Sequence, residues 1–147
     1  MGVKRCVNVA HDAMARRAAA GYVASCAYRS RMPFIDIATN TSAGPKVRQK
    51  LIDDVVVLAE KYLEKPRDVT MARLSTDEPI SFKGTAEPAA YVSIRAIGLP
   101  SVEARTALVA AISGLLDGVL DVPVSRTFIV FDDVPRDRWG VSGSILK

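Results

Sequence analysis

Most of this chain lacks cysteine and histidine. Both cysteines, Cys6 and Cys26, and the single histidine, His11, lie within the first 31 of the 147 residues. Residues 32–147 therefore offer no disulfide, no thiol nucleophile, no imidazole base and no soft metal ligand. These absences exclude most metal-dependent and nucleophilic enzyme mechanisms, and we expect neither a metal nor any other cofactor.

Residues 32–147 also lack the excess positive charge of the whole chain. The chain has 20 Lys and Arg and 16 Asp and Glu, for a net charge of +4. Six of these bases and one acid lie in residues 1–31, so the remainder holds 14 bases and 15 acids. Such a balance gives no electrostatic footprint for nucleic acid, and no apolar run is long enough to span a membrane. We expect neither partner.

Residues 1–31 form a basic leader rich in Ala and Arg. With Ser25 and Ser30 and a single acid, this composition is typical of an organellar transit peptide, whereas Arg16 and Arg17 interrupt any secretory apolar core. A translation start at Met32 explains the leader equally well, and a helix in the leader is a third interpretation. We expect a boundary between 1–31 and 32–147. The location is then cytoplasmic or organellar, with secretion independent of a signal peptide left open.

The pair Met32-Pro33 gives this boundary a chemical meaning. If Pro33 becomes the first residue, it carries a free secondary amine, which is a proton carrier near neutral pH. Within a longer chain the same nitrogen is an amide without useful basicity. The function therefore depends on whether the residues before Pro33 are removed.

Residues 32–147 read as two similar strand–helix–strand halves. The predicted elements are strands at 33–39, 68–75, 89–98 and 125–133 and helices at 45–63 and 99–120, the second capped by Ser101. A strand–helix–strand unit of this length implies a parallel pair with a right-handed crossover. We therefore predict an α+β fold with a four-stranded mixed sheet and both helices on one face.

The apolar patterns predict which faces of these elements are buried. The core-facing residues predicted for the two helices are Val47, Leu51, Val55, Val56, Leu58 and Leu63, and then Leu108, Ile112, Leu115 and Val119. The strand sequences "YVSIRAI" and "TFIVF" are apolar at successive positions, which is typical of strands buried on both faces. Since the chain has no third layer, another subunit is the simplest cover for the second face.

The order of short motifs resembles one known family. Met-Pro-strand, helix, "EKP", strand, "ISFKGTAEPAA", a strand ending in "AIG", helix, "DVPVSRTFIVF" and "WGVSGS" follow one another as in the macrophage migration inhibitory factor and D-dopachrome tautomerase family. The resemblance covers residues 32–147 and none of 1–31. It implies a homotrimer with pockets between subunits. It also implies keto–enol tautomerase activity on small aromatic α-keto acids such as phenylpyruvate, or on dopachrome-like compounds, and in some members a protein receptor.

The resemblance also implies roles for single residues. Pro33 matches the catalytic base, Lys65 in "EKP" matches the lysine that holds the substrate carboxylate, and Ile97 in "AIG" matches a residue whose backbone amide lines the pocket. Each has a plain structural alternative. Pro33 suits the start of an edge strand, Lys65 suits a helix C-terminus, and Ile97 suits a strand core.

Other positions depart from the family pattern. Phe128 stands where animal tautomerases have a tyrosine from the neighbouring subunit, and Val130 replaces an asparagine of the same pocket. Both changes remove a polar contact. The resemblance also places Trp139 in the tail, either near the pocket mouth or packed across the trimer interface. The sequence thus supports two functions: a weak proline-based tautomerase, or a signalling or binding protein with a vestigial pocket.

Overall fold

The computed structural model describes residues 32–146, so the predictions for the leader lie outside the described residues. The elements, in chain order, are β1 (Phe34–Thr39), α1 (Pro45–Leu63), β2 (Met71–Ser75), β3 (Ala90–Ala96), α2 (Val102–Leu120), β4 (Thr127–Asp133), β5 (Gly140–Val141) and β6 (Ser144–Ile145). Short 3-10 turns at Arg67–Val69, Val124–Arg126 and Arg136–Arg138 precede β2, β4 and β5. The predicted α+β architecture is confirmed.

The four long strands form one mixed sheet in the order β2-β1-β3-β4. β1 runs parallel to β2 and antiparallel to β3, and β3 runs parallel to β4. The starts of β1 and β2 therefore meet the ends of β3 and β4 at one end of the sheet. We call this the proline end, because Pro33 precedes β1 there.

Local sequence explains where the helices begin. Gly44 precedes α1, and Pro45 occupies the first turn, where a missing N–H costs nothing. The Ser101 hydroxyl accepts a hydrogen bond of 3.2 Å from the Ala104 backbone N–H, so its predicted capping role in α2 is confirmed. Hydrogen bonds from its own backbone N–H and from Ser101 hold the pKa of Glu103 below its usual value.

Both helices pack on the same face of the sheet and on each other. They bury one residue per turn: Leu51, Val55, Ala59 and Leu63 in α1, and Leu108, Ile112, Leu116 and Leu120 in α2. Full burial of such an aliphatic side chain contributes about 1.5–3 kcal/mol.

The predicted buried lines of the helices are only partly correct. Val47 and Val119 are exposed, and Leu115 is half-buried. α2 is apolar on most of its circumference, so several lines at helical spacing fit its sequence equally well. Ala59 escaped prediction because its small side chain adds little to an apolar pattern.

The second face of the sheet is open in the single chain. Met71, Phe128 and Tyr91 on this face are 67%, 56% and 47% exposed. The helices cover only one face, as predicted, and the expected cover of the other face by another subunit stays a prediction. On the open face Arg73 holds the Asp36 carboxylate, and this hydrogen bond raises the pKa of Arg73.

The two halves repeat one backbone plan. α1 and α2 are each 19 residues long, and both their starts and their ends lie 57 positions apart. Each helix ends at a left-handed residue, Glu64 or Asp121. A buried residue, a proline and a 3-10 turn follow in both halves.

The tail follows a course that the sequence did not predict. Pro135 leads into the 3-10 turn Arg136–Arg138, and β5 and β6 form a small antiparallel hairpin. The backbone N–H of Leu146 donates to the carbonyl of Trp139 at 2.9 Å. None of the helices within residues 32–146 has the length and apolar character needed to cross a bilayer.

Candidate functional site

Pro33 is buried at the start of β1. Its carbonyl oxygen accepts a hydrogen bond of 3.0 Å from the Met71 backbone N–H, which joins the starts of β1 and β2. The antiparallel register pairs Phe34 with Arg95, so Pro33 lies beside the last residues of β3. Proline has no N–H to donate, and a strand start tolerates this loss.

Lys65 lies at the same end of the sheet and is only 5% exposed. The left-handed C-cap Glu64 turns the chain away from α1, and Lys65 follows at once. Its Nζ donates hydrogen bonds to the carbonyl oxygens of Ile97 at 3.0 Å and Gly98 at 3.1 Å. Lys65 therefore joins the end of α1 to the end of β3, and two of the predicted site residues are in direct contact.

A cavity of about 440 Å³ opens at this position. Its wall includes Lys65 and Ile97 together with the apolar side chains of Leu63 and Leu99. Arg136 also lines it, although the sequence patterns gave that residue no role. Because the cavity places a buried cation beside an apolar wall, we take it as the candidate site.

A second cavity, of about 390 Å³, also lies at the proline end of the sheet. Phe34 and Arg95 line it from β1 and β3, and Trp139 lines it from the tail. The Trp139 Nε1 donates to the Val134 carbonyl at 3.2 Å. Trp139 thus lines the second cavity, and its predicted place near the pocket mouth or across the trimer interface stays a prediction.

Phe128 and Val130 lie away from Pro33. Phe128 pairs with Tyr91 near the opposite end of the sheet, four residues or about 13 Å along β4 from Asp132. Its ring packs edge-on against Phe82, with ring centroids 5.1 Å apart. Val130 faces the same open side in mid-sheet, opposite Ser93. A single chain does not bring either residue to Pro33.

Arg126 is a structural residue that the sequence reasoning missed. It is 8% exposed and donates to the carbonyls of Pro88 at 2.8 Å, Glu87 at 3.1 Å and Phe82 at 3.2 Å. Arg126 therefore fixes the loop before β3 against the start of β4. Its place directly before the apolar strand sequence "TFIVF" was the available signal.

Acidic and other metal-ligating side chains do not gather in the described part of the chain. Within residues 32–146 no group of three or more His, Cys, Asp or Glu side chains could hold a metal ion. The wall of the candidate cavity instead combines cationic side chains with apolar ones, and Pro33 lies at the same end of the sheet without lining it.

Comparison with known sequences identifies the family. The family model described as Macrophage migration inhibitory factor (MIF) matches residues 32–147. The chain belongs to the macrophage migration inhibitory factor family. The MIF homolog of Trichinella spiralis is 26% identical over 113 residues, which cover 77% of this chain and 98% of that protein. The MIF of Xenopus tropicalis is 24% identical over 113 residues, covering 77% and 97%.

Solved MIF structures share the fold. The MIF homologue from Prochlorococcus marinus superimposes with a TM-score of 0.73 at 27% identity, covering 78% of this chain and 99% of that one. The MIF of Trichinella spiralis gives a TM-score of 0.69 at 25% identity, covering 76% and 98%. The family resemblance and the fold predicted from the sequence are both confirmed.

Proposed function

We propose that residues 33–147, once Pro33 is the first residue, form a tautomerase. Its substrates are phenylpyruvate-like or dopachrome-like compounds, and Pro33 is its general base. The observation that carries this proposal is the contact of Lys65 Nζ with the Ile97 carbonyl, at 3.0 Å, at the end of the sheet where Pro33 begins β1. Membership of the MIF family supports it.

The proposed chemistry is a proton transfer between carbon and oxygen. The neutral amine of Pro33 takes a proton from the carbon beside the keto group, and that C–H electron pair becomes the C=C bond of the enol. The protonated amine then gives that proton to the carbonyl oxygen, whose π electron pair forms the new O–H bond, and the amine is neutral again. A secondary amine suits this role when an apolar, cationic environment disfavours its charged form. Lys65 supplies the cation and attracts the substrate carboxylate.

We also propose that the active form is a homotrimer. The exposed apolar side chains Met71, Tyr91, Phe128 and Val130 support this, because an open sheet face of this kind needs cover. A neighbouring copy could then bring its Phe128 to the pocket of the first. Sedimentation equilibrium of residues 33–147 tests the assembly, and a monomer at micromolar concentration would contradict it.

The second candidate function is a non-catalytic MIF-like signalling or binding protein. The observation that favours it is the absence of a polar side chain at Phe128 and Val130 of β4. Phe128 has no hydroxyl and packs against Phe82, and Val130 cannot donate a hydrogen bond. In this case the cavity is vestigial, and the surface binds a protein receptor.

Enolisation of phenylpyruvate separates the two functions. We expect measurable activity for the form that begins at Pro33 and very little for the full chain, in which the Pro33 nitrogen is an amide. A form with one extra residue before Pro33 is the matched control, since it blocks the amine with minimal bulk. Equal, substantial activity in all three forms would refute proline catalysis, and no activity in any of them favours the second function.

A further inference from the structure

Arg136 shares the cavity wall with Lys65, and no motif of the chain assigned it a role. It opens the 3-10 turn that follows Pro135, and its carbonyl accepts a hydrogen bond of 3.0 Å from the Trp139 backbone N–H. Its backbone position is therefore fixed by the turn. The side chain brings a second cation to the site.

Two nitrogens of this guanidinium are in an unfavourable state. Nε and Nη2 are both shielded from solvent, and neither has a hydrogen-bond partner among the residues that the structure describes. A shielded donor without a partner typically costs about 1–3 kcal/mol, and more when it belongs to a charged group. An incoming acceptor would remove this cost, so the arrangement points to a ligand.

The identity of the two nitrogens indicates which acceptor fits. Nε and Nη2 form one edge of the planar guanidinium fork, and this edge binds a carboxylate through two parallel hydrogen bonds. The chain contains its own example on the open sheet face. There Arg73 donates from Nε and Nη2 to the two Asp36 carboxylate oxygens at 2.8 and 2.6 Å. Arg136 has the same edge without such an occupant.

The rest of the cavity suits a small anion with an apolar body. Lys65 and Arg136 contribute two positive charges, and Glu64, which lines the same cavity, contributes one negative charge. Leu63 and Leu99 provide apolar surface, and the volume of about 440 Å³ lies within the range of small-molecule sites.

We propose that Arg136 binds the carboxylate of the substrate through Nε and Nη2, with Lys65 as the second cation of the site. The substrate class, small α-keto acids with an apolar substituent, rests on the proposed function. Because both nitrogens lie within the wall, the side chain has to turn this edge towards the cavity on binding. That movement exchanges two unpaired donors for a bidentate ion pair.

Equilibrium binding of phenylpyruvate and of its methyl ester tests the proposal, because binding requires no free amine. Titration calorimetry is done on the full chain and on the form that begins at Pro33. Arg136→Gln should weaken phenylpyruvate binding by about tenfold to a hundredfold and leave the ester within about twofold. Arg136→Lys should restore the affinity only in part, because an ammonium cannot make the bidentate contact.

Two further variants sharpen the result. Arg138→Gln removes the same charge two residues away, from the wall of the other cavity, and should change the affinity by less than about twofold. Glu64→Gln should strengthen phenylpyruvate binding, because it removes the negative charge from this wall.

Several outcomes would overturn the proposal. These are equal effects of Arg136→Gln and Arg138→Gln, an equal loss for acid and ester, or no binding of phenylpyruvate by either wild-type form at millimolar concentration. Arg136→Gln that lowers the assembly mass in sedimentation would also overturn it, since Arg136 would then pair with a neighbouring copy. Arg136-dependent binding without enolisation leaves this inference standing and removes the proposed activity. If wild type and Arg136→Gln enolise phenylpyruvate at the same rate, the proposed activity stands and this inference fails.

Discussion

In each half of the molecule a proline precedes the second strand, and one buried cation lies near it. The cation stands directly before the proline in the first half and three residues after it in the second. In the first half Lys65 precedes Pro66 and Val69 follows it. In the second half Val122 precedes Pro123 and Arg126 follows it. All four side chains are buried, on the same repeated backbone. We call these two positions, directly before the proline and three residues after it, the slots of each half. Either slot accepts an aliphatic side chain, so a cation in it needs a separate explanation.

The two cations differ in what they hold. Arg126 distributes its hydrogen bonds over three carbonyls of one loop, and removing it would leave that loop without its attachment. Lys65 touches two adjacent carbonyls at the end of β3 and lines a cavity. A point charge beside a cavity is suited to attract an anion, whereas a planar fork inside a loop is suited to fix the backbone. Arg126 therefore serves the fold, whereas the proposed function assigns Lys65 to a ligand.

The largest expected effect comes from placing the cation in the apolar slot. Val122→Lys puts an ammonium into a core position that is fully buried among aliphatic side chains. An uncompensated buried charge costs about 3–5 kcal/mol, so the unfolding free energy from urea titration should fall by that amount. Val122→Met is the control for size and should cost much less. A Val122→Lys protein as stable as wild type would show that the two slots are not distinct.

Removing Arg126 should have the next largest effect. Arg126→Met deletes two charged donors, Nε and Nη2, which together bond three carbonyls. The hydrogen bonding of one charged donor is typically worth about 1.5–3 kcal/mol. We expect a loss of about 3 kcal/mol in unfolding free energy, together with faster amide exchange in residues 82–88. Arg105→Met, on the helix layer, is the matched control. Unchanged exchange in the loop would argue against a fixing role.

A smaller effect is expected on the open face. Phe128 occupies the position in the second half that Met71 occupies in the first. Phe128→Tyr adds the missing hydroxyl. A hydrogen bond to a reacting group is worth about 1–3 kcal/mol, or about ten- to a hundredfold in rate. We expect kcat for phenylpyruvate to rise more than KM changes, because the ring is already present. Met71→Leu should leave the rate unchanged. If kcat does not rise in Phe128→Tyr, the substrate does not bind next to this side chain.

The sequence predicted the architecture well because its signals were local and repeated. Apolar spacing located α1, and Ser101 marked the start of α2. Two strand–helix–strand units then left few topologies open. The buried line of α2 was harder, since Leu115 and Leu116 fit equally well and only the packing against α1 and the sheet chose Leu116.

The candidate site could be predicted only through the family resemblance. Lys65 read from spacing alone is an ordinary lysine after a helix, and its contact with Ile97 joins residues 32 positions apart. Arg136 gave no signal, because the tail that positions it matches no regular periodicity. Phe128 was predicted as a pocket residue contributed by a neighbouring subunit; its distance from Pro33 within one chain fits that prediction but does not test it.

The affinity of Lys65→Met for phenylpyruvate tests most directly whether this cation serves a ligand. Methionine keeps an unbranched side chain in the slot and removes the charge, and Gly98 is exposed, so water can satisfy its carbonyl. Thermal melting first confirms that the variant is folded. Calorimetry should then show affinity reduced by about tenfold or more, with the unfolding free energy changed by less than about 2 kcal/mol. Unchanged affinity together with a large loss of stability would contradict the account and make Lys65 a structural residue like Arg126.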